Sequence, residues 1–206
     1  MPRPEQTCGV PPEMKKSLFV VLPVLVLLLS ACGSGGAPKI ASTGLQGLVL
    51  RESDLGAPFS TVVAGPTASL DVQGTPRSDL HRFDRRGGWV IRLNRPGTKS
   101  TRGPLVVAST VDVFGGSGGA KQDLELFRAQ LSRIPGSKPV SVSKLGSDAT
   151  AVTSIQPGGL PVRSFMVAWR DRNAVASVTA NGFDGKITWR DVLRLARRQE
   201  RKLANA

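Results

Sequence analysis

The chain has 206 residues and a formal net charge of +13, with two cysteines, one histidine and no tyrosine. Its basic residues are scattered without a block of five or six like charges, and no nucleic-acid recognition motif accompanies them. We therefore expect no nucleic-acid partner. The low aromatic content of 5% predicts a core built mainly from Val, Leu and Ala.

An apolar run from Leu18 to Leu29 follows the basic pair Lys15-Lys16 and ends in small residues. This order is typical of a signal peptide, and the run is too short to span a bilayer. The string Leu29-Ser30-Ala31-Cys32 resembles the lipobox of bacterial lipoproteins at every position. The resemblance implies acylation of the Cys32 thiol and removal of residues 1–31. The alternatives are a plain signal peptide cleaved near Ala31 and an uncleaved apolar helix.

The first thirteen residues carry four prolines and two acidic residues, which makes a poor signal-peptide start, so translation from Met14 is the alternative to Met1. With Cys8 removed and Cys32 acylated, no thiol remains for a disulfide or a Cys-based metal site. Residues 32–44 are rich in Gly, Ser and Ala, which predicts a lipidated cysteine and a flexible tether. Residues 45–206 then form a single domain.

The first predicted elements of this domain are a short helix within 45–55 and an extended piece at Thr61 to Ala64. Trp89, Ile91 and Leu93 alternate with Val90 and Arg92, which indicates a half-buried strand. The segment from Leu105 to Phe114 is rich in β-branched residues and predicts the next strand. Asn94 to Gly103 lies between these strands as a loop.

The second half begins with a predicted central helix, since apolar residues recur at helical spacing until Pro135-Gly136 stops it. Four strands follow, joined by short loops that favour antiparallel hairpins. Thr188 and Asp191 stand in capping-box spacing at the start of a last helix, which runs to about Ala204. The stripe of the central helix is Ala120, Leu124, Phe127, Leu131 and Ile134, the strands are Pro139 to Val142, Ala149 to Ile155, Val162 to Arg170 and Ala174 to Ala180, and the buried side of the last helix is Trp189, Val192, Leu193, Ala196 and Leu203.

These elements predict an α+β fold, an antiparallel β-sheet meander with a central helix and a C-terminal helix packed on it. The order resembles the soluble domains of actinobacterial-type secreted lipoproteins, including sensor-like extracellular domains and the PsbP-like sandwich. The resemblance rests on Val111-Asp112-Val113-Phe114, on Leu145-Gly146-Ser147-Asp148-Ala149 and on Leu195-Ala196-Arg197-Arg198-Gln199. It implies no catalytic role for any of these strings.

Two motif matches share the glycine-rich loop that precedes the central helix. Ser117 fits the G-x-S-x-G pattern of a nucleophile elbow, but the single histidine, His81, comes before it rather than after it. Lys121 ends an approximate phosphate-binding loop that has Ala120 where glycine is required. Asp112 is interpreted as an exposed strand residue near the rim of the sheet. We predict no catalytic residue, no metal site and no cofactor.

The predicted function is a lipid-anchored extracytoplasmic protein that is not an enzyme and binds a ligand or an envelope protein, in a groove between the sheet and the C-terminal helix. An envelope hydrolase or transferase with a site on loops is the alternative. The expected partners are the membrane, through the lipid anchor, and an unknown small apolar ligand or envelope protein, and we expect a monomer. Arg194, Arg197, Arg198 and Arg201 are predicted to contact the membrane surface; a solvated face whose cations suit the helix C-terminus is the alternative.

Overall fold

The computed structural model describes residues 38–56, 58–70, 79 and 81–206. The predicted signal peptide, Cys32 and the first part of the predicted tether lie outside these residues, so the predictions made for them stay predictions.

The described residues form one seven-stranded antiparallel sheet with helices. This confirms the predicted α+β class. The strands are β1 (Ser60–Pro66), β2 (Arg85–Asn94), β3 (Val106–Phe114), β4 (Lys138–Pro139), β5 (Asp148–Gln156), β6 (Val162–Asp171) and β7 (Ala174–Phe183). The helices are α1 (Thr67–Leu70), α2 (Ser117–Ser132) and α3 (Trp189–Ala204), and 3-10 turns lie at Leu45–Gly47, Glu52–Asp54 and Arg82–Asp84.

The strand order is β1-β2-β3-β7-β6-β5-β4, so the sheet contains two meanders, joined where β3 pairs with β7. One continuous meander was the expectation. The difference arises because α2 follows β3 and carries the chain across the sheet to the far edge. A helix of 16 residues is about 24 Å long, and β4 lies four strand spacings, or about 19 Å, from β3. The helix is therefore long enough to make this crossing.

Helix α3 covers one face of the sheet, which we call the α3 face. Val111 of β3 and Trp169 of β6 are fully buried there in one cluster with Val192 and Leu203 of α3. The predicted capping box of this helix is confirmed, since Thr188 Oγ1 accepts from the Asp191 N–H and Asp191 Oδ2 accepts from the Thr188 N–H. Val192, Ala196 and Leu203 are buried as predicted, but Leu193 was wrongly predicted to be buried. It lies partly exposed on the outer side, and Leu195 and Gln199 are buried in addition.

Helix α2 packs on the opposite face of the sheet. Ala120 and Leu124 of α2 form a second cluster with Phe114, Val175 and Ala168 of the strands. The two long helices therefore lie on opposite faces. Strand β6 carries apolar side chains on both sides because a helix covers each of its two faces.

The N-terminal segment packs on the α3 face before the predicted domain start at Leu45. Ile40 is buried, and its N–H donates to Asn173 Oδ1 at 2.8 Å. The Asn173 amide in turn donates to the carbonyls of Ile40 and Phe114. The end of the predicted tether is thus held on the domain. The predicted helix within 45–55 is replaced by two 3-10 turns, Leu45–Gly47 and Glu52–Asp54, and Gly47, a poor helix former, ends the first of them.

Candidate functional site

The predicted membrane-contact arginines occupy two different sides of α3. Arg194, Arg197 and Arg201 are exposed on its outer side, together with Arg190. Arg198 is only partly exposed, and its guanidinium donates to the carbonyl of Asp54 in the N-terminal segment. Arg198 therefore holds two parts of the domain together. The membrane contact itself stays a prediction.

The two motif matches fall on exposed residues in the first two turns of α2, Ser117 and Lys121. Ser117 is exposed at the first turn of α2, and His81 is exposed before the 3-10 turn at Arg82–Asp84. The 38–56, 58–70, 79 and 81–206 ranges contain no group of three His, Cys, Asp or Glu side chains placed to hold a metal ion.

Asp112 was expected to be exposed, and this was wrong. Its side chain is 1% exposed and forms an ion pair with the guanidinium of Arg85, which is itself buried. The hydroxyl of Thr67, at the start of α1, donates to Asp112 Oδ1 at 2.9 Å. The buried pair thus joins β2, β3 and α1. A buried carboxylate needs such partners because its desolvation costs several kcal/mol, on the order of the stability of a domain.

The half of the α2 face that lies beyond α2 we call the open face. Ala108 of β3, Thr179 of β7 and Met166 of β6 lie there and are partly exposed, although their strands are central. Thr110 and Ser177 lie next to them and share a hydrogen bond of 2.5 Å between their hydroxyls. The open face therefore carries small and hydroxyl side chains together with Met166 and the exposed Arg92, which lies opposite Ala108.

A row of polar side chains crosses the open face. Strand pairing places Asn94 of β2 opposite Val106, Val106 opposite Asn181 of β7, Asn181 opposite Ser164, and Ser164 opposite Ser154. Adjacent members are about 5 Å apart, so the two asparagines are separated by about 10 Å. The amide oxygens of Asn94 and Asn181 are shielded from solvent and accept no hydrogen bond from the residues that the structure describes. The row therefore carries unused hydrogen-bonding capacity.

Four depressions on the described surface have volumes of about 260, 270, 280 and 390 Å³. Sites for small molecules usually occupy about 300–1,000 Å³ and enclose most of the ligand, so three of the four lie below that range. The depression of about 270 Å³ at the start of α3 resembles the predicted groove in position. Charged and apolar residues share its lining: Asp54, Asp191, Arg194 and Arg198 with Leu55, Pro104 and Leu195.

The polar row could not be predicted, because its polar members come from four strands, β2, β5, β6 and β7. Asparagine is uncommon within strands, so Asn94 was assigned to a loop and Asn181 was left outside the last predicted strand. The exposed arginines on the outer side of α3, in contrast, follow from helical periodicity alone.

No family model and no curated protein matches the chain. Among solved structures, the extracellular domain of PknH from Mycobacterium tuberculosis is similar, with a TM-score of 0.62 and 12% sequence identity. The match covers 83% of this chain and 100% of that one. At this identity the likeness shows a shared fold. No helix in the described part of the chain is long and apolar enough to cross a membrane.

Proposed function

We propose that the protein is a lipid-anchored, extracytoplasmic domain that is not an enzyme and binds a polypeptide segment of an envelope partner on its open face. The observation that carries this proposal is the pair of unpartnered amide oxygens on Asn94 and Asn181. Buried polar groups normally have hydrogen-bond partners. Both asparagines are partly exposed, so rotation of each amide group brings its oxygen to the open face, where an external donor can pair with it.

The chemistry of the open face supports a polypeptide over a small apolar ligand. Asparagine amides both donate and accept, as the peptide groups of a bound segment also do. The hydroxyls of Ser164 and Thr179 add further donors and acceptors next to Asn181. Small molecules favour concave pockets, and none of the four depressions on the described surface is lined by Ala108, Met166 or Thr179 of the open face.

The proposed location has two supports. The lipobox resemblance at Leu29-Ser30-Ala31-Cys32 predicts export and anchoring. The fold shared with an extracellular domain agrees with a position outside the cytoplasm. An envelope hydrolase has no comparable support, because the single histidine, His81, precedes Ser117 in the sequence, whereas a hydrolase with a nucleophile elbow has its histidine after the serine.

The test is photo-crosslinking in cells with a photoreactive residue at Thr179. We expect one dominant adduct with an envelope protein, and we expect Asn181→Leu to remove it. A photoreactive residue at Val62, which is 57% exposed on edge strand β1, serves as the control. The same adducts from both positions, or none from Thr179, would contradict the proposal.

A stability measurement separates binding from folding. Asn181→Leu removes an amide oxygen that has no partner among the described residues, so the urea midpoint should change little. Replacing a shielded, unpaired polar group by an apolar one relieves its desolvation cost, so the midpoint should stay the same or rise. A large fall in the midpoint would mean that Asn181 is structural.

A further inference from the structure

The outer side of α3 carries a continuous stripe of four arginines. Arg190, Arg194, Arg197 and Arg201 follow one another at spacings of four, three and four residues, which places them on one side of the helix. All four are exposed. The stripe lies opposite the side that buries Val192, Ala196 and Leu203. We call this stripe the arginine face.

The arginine face has little internal compensation for its charge. Arg194 pairs with Asp191 at 3.1 Å, while Arg190, Arg197 and Arg201 have no carboxylate partner among the described residues. The other carboxylate of α3, on Glu200, accepts from the N–H of Gly146 instead. Like charges at these spacings repel one another and destabilise a helix. An external anion would remove this repulsion.

A shallow depression of about 260 Å³ runs along the arginine face. Leu193 lines it between the arginines and is partly exposed. Cations around an apolar side chain match a membrane interface, where phosphates lie above the hydrocarbon. A soluble anion would interact with the cations but would leave Leu193 without an apolar partner.

The structure also shows where the anchor would reach the domain. The guanidinium of Arg172 donates to the carbonyl of Pro38 at 3.1 Å and to that of Ala206 at 3.0 Å. The first described residue therefore lies beside the C-terminal end of α3. Five residues lie between Cys32 and Pro38, and the six steps of the chain from one to the other reach about 20 Å at most. An anchor at Cys32 would hold the end of α3 within that distance of the bilayer.

We propose that the arginine face docks on anionic phospholipid headgroups of the membrane that holds the anchor. This inference rests on the proposed lipid anchoring. Because α3 and the open face lie on opposite sides of the sheet, docking turns the open face away from the membrane. Each cation at an anionic surface favours the docked orientation by about fivefold, so three unpaired arginines favour it by about 100-fold.

The experiment uses the lipidated protein on vesicles of phosphatidylcholine, with or without about a third of phosphatidylglycerol. The chain after Cys32 contains no cysteine, so Ala204→Cys or Ala129→Cys provides a single site for a fluorophore. Ala204 is exposed at the end of α3, and Ala129 is exposed on α2 on the opposite side of the sheet. A quencher attached to the lipid headgroups reports which label lies at the membrane.

We expect quenching at Ala204 to rise several-fold in anionic vesicles, and quenching at Ala129 to stay low. About 1 M salt should remove the difference, because the screening length falls to about 3 Å. The triple variant Arg190→Glu, Arg197→Glu, Arg201→Glu should abolish it. A matched variant with the same change in charge on exposed positions outside α3, Lys121→Glu, Arg133→Glu, Lys138→Glu, should leave it unchanged.

Equal quenching of both labels, or equal behaviour of the two triple variants, would overturn docking. A second contrary result is that the fluorescence of the Ala204 label changes with soluble polyphosphate and not with anionic vesicles. That result would show that the arginine face binds an anionic polymer, and it would overturn docking on phospholipid. Failure of the protein to float with neutral vesicles would contradict only the anchor. In that case, quenching at Ala204 by excess anionic vesicles still tests the arginine face.

Discussion

At Gly88 the backbone of β2 passes directly beside the buried pair of Arg85 and Asp112. A Cβ atom added there would lie 2.0 Å from Asp112 Oδ1 and 2.3 Å from Thr67 Oγ1. Neither atom can move freely, because each has a hydrogen bond within the cluster. Glycine is therefore required by a close approach between buried groups.

We predict that Gly88→Ala destabilises the domain by about 3 kcal/mol, because it overpacks the site and disturbs a buried ion pair. Gly118→Ala in the first turn of α2 is the control, since its Cβ would meet nothing within 4 Å. That substitution should stabilise by about 0.5–1 kcal/mol through helix propensity. Urea denaturation of both variants measures the two effects. Equal midpoints would show that the packing around Gly88 is looser than described.

At the scale of elements, local sequence predicted most strands and helices, whereas the packing partners decided how deeply each side chain is buried. Trp169 of β6 is fully buried on the α3 face. Phe127, in the middle of the predicted stripe of α2, is only partly buried. The difference arises because α2 lies on the outer surface of the sheet, while α3 and the N-terminal segment enclose the other face.

Trp169→Ala should therefore cost about 3–5 kcal/mol of unfolding free energy. Phe127→Ala should cost about 1–2 kcal/mol, because less apolar area returns to water. The Trp169 indole N–H has no partner among the described residues, so Trp169→Phe should cost much less than Trp169→Ala. The measurement is the urea midpoint of each variant. A larger loss for Phe127→Ala than for Trp169→Ala would reverse the assignment of the two faces.

At the scale of the whole molecule, the lipid anchor and the arginine face would together set the position of the domain at the membrane. The anchor would limit the distance from the membrane, and the arginine face would select one orientation of the domain. The open face would then be available to a partner across the envelope.

Cys32→Ala should abolish acyl labelling and leave the protein either soluble or as an unprocessed precursor. The folded domain should keep its urea midpoint, because its core lies within residues 38–206. Membrane fractionation and intact mass spectrometry distinguish the soluble protein from the unprocessed precursor. Normal membrane association and acyl labelling of this variant would disprove the lipoprotein prediction.

The sequence by itself determined the elements whose signals are local. The capping box at Thr188 and Asp191, the periodicity of α2 and α3 and the hairpin loops each depend on neighbouring residues. The α+β class follows from those elements, and the arginine face follows from the helical repeat.

Only the tertiary structure decided which distant residues meet. The pairing of β3 with β7 depends on the path of α2 across the sheet, and that pairing brings Asn181 into one row with Asn94. The burial of Asp112 depends on Arg85 and Thr67, which come from other elements. These contacts join residues far apart in the chain, and their free energy depends on the packing of the whole sheet, which no local pattern encodes.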